Sequence, residues 1–164
     1  MGLPLRVSVV GAGQASPEES AMAEALGRAL GAAGALVITG GLGGVMAAAS
    51  RGCAEAGGIA VGILPGGDAA MANPWVRIPI ATGLGEARNA LVVRSGEAVV
   101  AVGGSWGTLS EIALACRMGI SVALLGNPPA DLPLHRPENP EEAAAWALRE
   151  ALESRSRASS EGTF

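Results

Sequence analysis

The sequence contains no lysine; all 11 of its basic residues are arginine. A Schiff base between a lysine amine and pyridoxal phosphate is therefore impossible, which excludes amino-acid decarboxylation of that kind. Histidine occurs once, at His135, and gives no basis for a histidine metal site. The two cysteines, Cys53 and Cys116, fall in predicted helices without metal-ligand spacing and read as a cytosolic thiol pair, with Cys116 a small buried hydrophobe. Aromatic residues make up only 2% of the chain, so the core has to be built from Ala, Val, Leu and Ile. Charged residues are 16%, with a net charge of −4. That balance lacks the basic footprint of a nucleic-acid surface. No apolar run approaches about 20 residues without glycine or charge, so no membrane span is expected. A signal-peptide pattern is absent too, because Arg6 follows a short start and the next apolar run is a strand. The expected location is cytoplasmic.

What is present is a chain of 164 residues, 49% hydrophobic, with 25 glycines gathered at strand ends. Short apolar runs alternate with amphipathic helical stretches. Strands are predicted over residues 5–11, 35–39, 59–64, 75–80, 98–102 and 121–125. Helices are predicted over 17–33, 44–56, 85–95, 108–118 and 140–152. Ser16, Pro17 and Glu19 form a helix-start signature, and Asn139 is a natural cap for the last helix. This alternation predicts an α/β fold: a Rossmann-like, doubly wound, mostly parallel sheet of six to seven strands with helices on both faces. The strands are continuously apolar, as sheets covered on both sides require. One domain is expected over residues 1–153. The Pro-rich stretch 127–140 is expected to wrap the surface, and the Ser- and Arg-rich tail 154–164 to be disordered.

Three glycine-bearing turns should meet at the carboxyl ends of the strands, where open parallel sheets bind ligands. They are Gly11-Ala12-Gly13, Gly40–Gly44, and the stretch Gly103-Gly104-Ser105-Trp106-Gly107-Thr108. The last follows a buried strand and opens a helix, so its free amides and positive dipole suit an anion, most often phosphate. Ser16 stands where the third glycine of a dinucleotide fingerprint belongs, and no acidic residue closes the second strand, which argues against NAD. Glu111, one turn into the helix, either faces ligand hydroxyls or merely offsets the helix dipole. Arg88, taken alone, reads as an exposed arginine paired to Glu86; as a ligand group it would clamp phosphate or carboxylate. Trp106 is either a wall against a heterocycle or a surface ring. Trp75 and Trp146 read as packing or subunit-contact residues, and Val45 and Met46 as core.

The segments Thr39-Gly-Gly-Leu-Gly-Gly-Val-Met46, Ala87-Arg-Asn89 and Gly104-Ser-Trp-Gly-Thr-Leu-Ser-Glu111 resemble, in order, the motifs of the Lonely guy (LOG) superfamily over residues 5–126. Members of that superfamily cleave the N-glycosidic bond of nucleoside 5′-monophosphates, although some carry a lysine decarboxylase label. The resemblance implies catalytic roles for Arg88 and Glu111. It implies ligand contacts from Gly11, Gly40, Gly41, Gly44, Asn89, Gly104, Ser105, Trp106, Gly107 and Thr108, with no metal ligand and no required cofactor. Glu86 is a candidate for protonating a leaving group. Gly103 replaces the family proline, Ser105 the second glycine, Thr39 the first glycine of the second-strand motif, and Ala87-Arg88-Asn89 the pattern Glu-Arg-Lys. These departures are similar to a subgroup related to the molybdenum cofactor carriers of algae. The implied partner is thus a small phosphorylated molecule: a nucleoside monophosphate, phosphate, or the molybdenum cofactor. A homo-oligomer, dimer or tetramer, is also implied.

Overall fold

The computed structural model describes residues 2–161. Six strands form a single all-parallel sheet: β1 (Arg6–Gly11), β2 (Leu36–Thr39), β3 (Ile59–Leu64), β4 (Ile78–Ala81), β5 (Ala98–Val102) and β6 (Val122–Leu125). Their order is β4-β3-β2-β1-β5-β6, so the chain winds outward from β1 to one edge, then jumps back to build the other half. The reversal falls between β1 and β5, which pair in register from Val7 with Ala98 to Gly11 with Val102. The crevice at that switch point is where a sheet of this kind binds ligands.

Helices cover both faces. On one side α1 (Pro17–Ala32), α2 (Val45–Glu55) and α5 (Pro140–Glu161) pack on Val7, Val9, Val37, Val100 and Leu125. On the other, α3 (Asn89–Ser95) and α4 (Trp106–Arg117) pack on Val10, Ile38, Ile63, Val99 and Leu124. The near-absence of aromatics is answered by close backbone approach. A Cβ on Gly27 would lie 2.0 Å from the Ala49 carbonyl oxygen, and one on Gly52 would lie 1.9 Å from that of Glu24. The two helices α1 and α2 touch where those residues have no side chain. Glycine inside a helix costs roughly 0.5–1 kcal/mol relative to alanine, a cost offset here by the packing it permits.

The start of α1 is a complete capping box. The Ser16 hydroxyl accepts from the Glu19 amide at 3.1 Å, and the Glu19 carboxylate accepts from the Ser16 amide at 2.8 Å. Asn139 caps α5 through its side-chain oxygen, 2.8 Å from the Glu142 amide.

Several boundaries differ from the sequence reading. Helix α5 does not end at 152 but runs to Glu161, where a disordered tail was expected. Its extension is tied down by Arg155, which donates to the Glu97 carboxylate and to the Leu3 and Pro4 carbonyls. Those partners are too distant in the chain to be read from local composition. The rest of the expected tail, residues 162–164, lies outside the described residues. Strand β4 begins at Ile78 rather than 75, because Asn73 holds 73–76 in a turn through the amides of Trp75 and Val76. The predicted helix over 85–95 begins as a 3-10 turn, Gly85–Arg88. Cys116 is exposed rather than buried, since it lies on the outer face of α4. Cys53 is buried, and that burial pushes its thiol up to about 11. Trp146 is buried and stacks on His135 with ring centroids 5.2 Å apart. No helix among the described residues is long and apolar enough to cross a membrane.

Candidate ligand site

Helix α4 begins at Trp106, two residues before the expected start. Ser105 is its cap residue in extended conformation, but its side chain makes no capping bond to the helix amides. The first helical bond runs from the Leu109 amide to the Ser105 carbonyl at 2.9 Å. The amides of 106–108 are thus left with no partner among the described residues, as the first turn of a helix must be unless a side chain or ligand takes them. The turn before them is fixed by Gly103, whose φ of 59° no proline could adopt. A Cβ there would also collide with the Glu19 carboxylate, at 2.0 Å. The departure from the family proline at this position is therefore built into the local backbone.

With the helix starting at Trp106, Glu111 is its sixth residue, beyond the first turn, and cannot serve as a first-turn carboxylate that offsets the dipole. It lies on the inward face with Thr108: Thr108 is 1% exposed and Glu111 8%. Burial pushes the Glu111 carboxyl up to about 7, against the opposing pull of Arg88.

Arg88 ends the 3-10 turn and is itself buried. Its Nη1 donates to Asn89 Oδ1, and its Nη2 approaches the Gly40 carbonyl at 3.4 Å. Its Nε is buried and has no partner among the described residues. Burial lowers its pKa, while Glu111 and Glu86 raise it. Glu86 itself is exposed and forms no salt bridge with Arg88, which removes the alternative of an exposed surface pair. Gly40 is required for this placement, since a Cβ there would stand 2.7 Å from both Arg88 Nη2 and Met46 Sδ. Met46 is half-buried against this turn rather than fully in the core, whereas Val45 is buried.

The other glycines divide by what surrounds them. Gly11 packs against Val45, Gly44 against the Ala12 carbonyl, Gly41 against Leu64, and Gly104 against Pro129. Their lack of a side chain is explained by the fold alone. Gly107 differs: a Cβ there would meet only Ser105 Oγ, at 3.8 Å. Its openness, inside a helix where alanine would be favoured, is what the close approach of a ligand to the first amides needs.

Trp106 is 87% exposed. With Leu109 and Pro129 it lines a cavity of about 300 Å³ that also borders Gly104 and Ser105. Pro129 was not singled out in the sequence, although it follows β6 and must therefore emerge at the same end of the sheet. The structure thus gathers Gly104–Thr108, Glu111, Arg88, Asn89 and Gly40–Gly41 at one pole.

Comparison with known proteins is consistent with this geometry. The model of the SLOG cluster4 family matches residues 4–153. An uncharacterized protein of Archaeoglobus fulgidus is 38% identical over 148 residues, 90% of this chain and 97% of that protein. Among solved structures, the molybdenum cofactor binding protein of Rippkaea orientalis is 34% identical with a TM-score of 0.83, covering 90% of this chain and 97% of that one. The molybdenum cofactor carrier protein of Chlamydomonas reinhardtii is 34% identical with a TM-score of 0.82, covering 92% and 99% respectively.

Proposed function

The chain belongs to the SLOG cluster4 family, and from that premise we propose that it binds a phosphorylated heterocycle of the molybdopterin class and serves as a molybdenum cofactor carrier or binding protein. The observation that carries this reading is the open first turn of α4, with unpaired amides over 106–108 beside a buried Arg88 and a buried Glu111. A terminal phosphate docks on those amides, where the dipole and free donors favour it. Thr108 adds a hydroxyl. Arg88, held by Asn89 and Gly40, supplies the balancing cation. Burial pushes the Glu111 carboxyl up to about 7, so near neutrality it can take up a proton and both donate to and accept from polar groups of the ligand. Trp106 and Pro129 border the space left for a flat ring. The names of the Rippkaea and Chlamydomonas proteins support this ligand class.

A second reading is favoured by the same Glu111 and Arg88 pair: hydrolysis of a nucleoside 5′-monophosphate. In it, the C1′–N bond breaks with its electron pair going to the base, and water adds to the ribose carbon. Ionised Glu111 stabilises the cationic transition state. The attacking water gives its hydroxyl to the ribose carbon and its proton ends on the leaving base; Glu86, exposed and close enough to influence Arg88, is the candidate for delivering it. The two readings separate in one experiment. Ligand-free protein is titrated with molybdenum cofactor and with AMP, following melting temperature and release of ribose 5-phosphate. Stabilisation by cofactor without turnover of AMP supports the carrier. Catalytic release of ribose 5-phosphate overturns it in favour of the hydrolase, and stabilisation by neither rejects the site.

Ile78 and Ile80 are exposed on the edge strand β4, the surface we assign to self-association. A homo-oligomer is the expected state, and gel filtration at the mass of one chain would reject it.

A further inference from the structure

At the opposite pole of the sheet, where the strands begin, lies a cavity of about 550 Å³. It is walled by Arg6 at the start of β1, Arg94 in the last turn of α3, Glu97 before β5, and Ser154 and Arg155 of α5. Three arginines thus border one space in a chain whose net charge is −4.

The fold itself consumes only part of this charge. Glu97 accepts from the Arg6 amide at 2.9 Å, from Arg6 Nη2 at 3.2 Å and from Arg155 Nη2 at 3.0 Å. Arg155 is spent further on the Leu3 and Pro4 carbonyls. One carboxylate and two carbonyls therefore account for Arg155 and for one edge of Arg6. The Nε of Arg6 is buried with no partner among the described residues, and its Nη1 makes no hydrogen bond with them. Arg94 is exposed and takes part in no hydrogen bond or salt bridge with the described residues. Its place in the last turn of α3 complements that helix dipole, but α3 has only seven residues and its field is weak. The Ser154 hydroxyl makes no hydrogen bond with the described residues. The cavity is left with an excess of positive charge, the unpaired Arg94 guanidinium and the Nη1 edge of Arg6.

We infer that this cavity is a second binding site, distinct from the cleft at the carboxyl ends of the strands, and that it takes a phosphate-bearing anion between Arg6 and Arg94. A tetrahedral oxyanion offers separate oxygens to the two guanidinium edges, and guanidinium geometry suits it. Glu97 holds the Arg6 side and, through Arg155, fastens the end of α5 as the wall of the site. The last turns of α5 are thereby coupled to occupancy of the cavity.

The test is calorimetric titration of the full-length protein with pyrophosphate at low salt, with Arg94→Ala, Arg6→Ala and Arg149→Ala as variants. Arg149 is an exposed arginine of α5 that does not line the cavity. Two binding events are expected for the unaltered protein. Arg94→Ala should weaken one of them at least tenfold and leave the other, at the α4 turn, intact. Arg6→Ala is expected to weaken the same event, with circular dichroism confirming that it folds. Arg149→Ala should change neither. Crystals soaked in tungstate should show anomalous density between Arg6 and Arg94. A single event unaffected by Arg94→Ala, an equal loss with Arg149→Ala, or tungstate absent from this cavity overturns the inference. Failure of the α4 event alone bears on the proposed function and not on this site.

Discussion

Replacing Glu111 by glutamine probes the electrostatics of the cleft most directly. Burial moves the Glu111 carboxyl from its ordinary 4.5 up to about 7, and the nearby Arg88 only partly restrains that rise. Between those two pH values the folded protein holds a proton that the unfolded chain has released. Stability therefore falls as pH rises from about 4.5, and the loss is complete once pH passes about 7. The interval from 4.5 to about 7 corresponds to roughly 3 kcal/mol. Glutamine keeps the shape and hydrogen-bonding capacity of the side chain but cannot ionise. The ligand-free Glu111→Gln protein should match the unaltered chain below pH 4.5 and exceed it by roughly 3 kcal/mol at pH 8. For a chain of this size that is roughly 6–12 °C in melting temperature. Guanidinium unfolding at pH 4 and pH 8 measures the difference. A gap that is the same at both values, or an unaltered protein that is the more stable one at pH 8, would falsify the reasoning. A bound phosphate dianion near Glu111 should raise its proton affinity further, so binding above neutrality should take up protons, readable from buffer-dependent heats.

Three other perturbations separate packing from ligand contact. Gly40→Ala puts a methyl 2.7 Å from Arg88 Nη2 and Met46 Sδ, so both long side chains must shift; the Arg88 guanidinium is displaced and phosphate affinity should fall at least about tenfold, or 1.4 kcal/mol, by calorimetry. Gly107→Ala meets no obstacle in the fold, so it should raise ligand-free stability by about 0.5–1 kcal/mol and still weaken phosphate binding; unchanged affinity would mean that no ligand approaches that turn. Ser16→Ala removes the hydroxyl that accepts from Glu19 and should cost about 1 kcal/mol in denaturant unfolding, with ligand affinity unmoved.

The order of strands and helices was legible because each element carries its own period and punctuation. Ser16, Pro17 and Glu19 announce α1, and the apolar runs over β1, β5 and β6 announce a sheet covered on both faces. Local signals failed where a long-range contact decides. The α5 extension depends on Arg155 meeting Glu97, 58 residues away. The burial of Arg88 depends on Gly40, 48 residues earlier. Cys116 reads as apolar filler because a thiol carries no mark of which helix face it occupies. The glycines were legible as a group but not individually. Only the three-dimensional surroundings separate Gly11 and Gly44, which make room for the fold, from Gly107, which leaves space unfilled.

Arg88 and Glu111 each bear a cost that the other does not cancel. Burial disfavours the charge on both, they influence one another through space, and yet no salt bridge joins them. Arg88 retains a buried, unpaired Nε, the sort of group whose desolvation costs about 1–3 kcal/mol. A fold selected for stability alone would close such a pair or replace it with apolar residues. Beside three helix amides with no partner among the described residues, the pair has a simple account under the proposed function: the ligand is the missing partner. An anion that satisfies the amides and Arg88 while exchanging hydrogen bonds with Glu111 removes several penalties in one binding event. The stabilisation on binding should therefore exceed what phosphate contacts alone provide, and inorganic phosphate should raise the melting temperature far less than a ligand that also reaches Glu111. Equal shifts from the two would mean that the carboxyl at 111 meets nothing, and the pairing of Arg88 with Glu111 in one site would have to be abandoned.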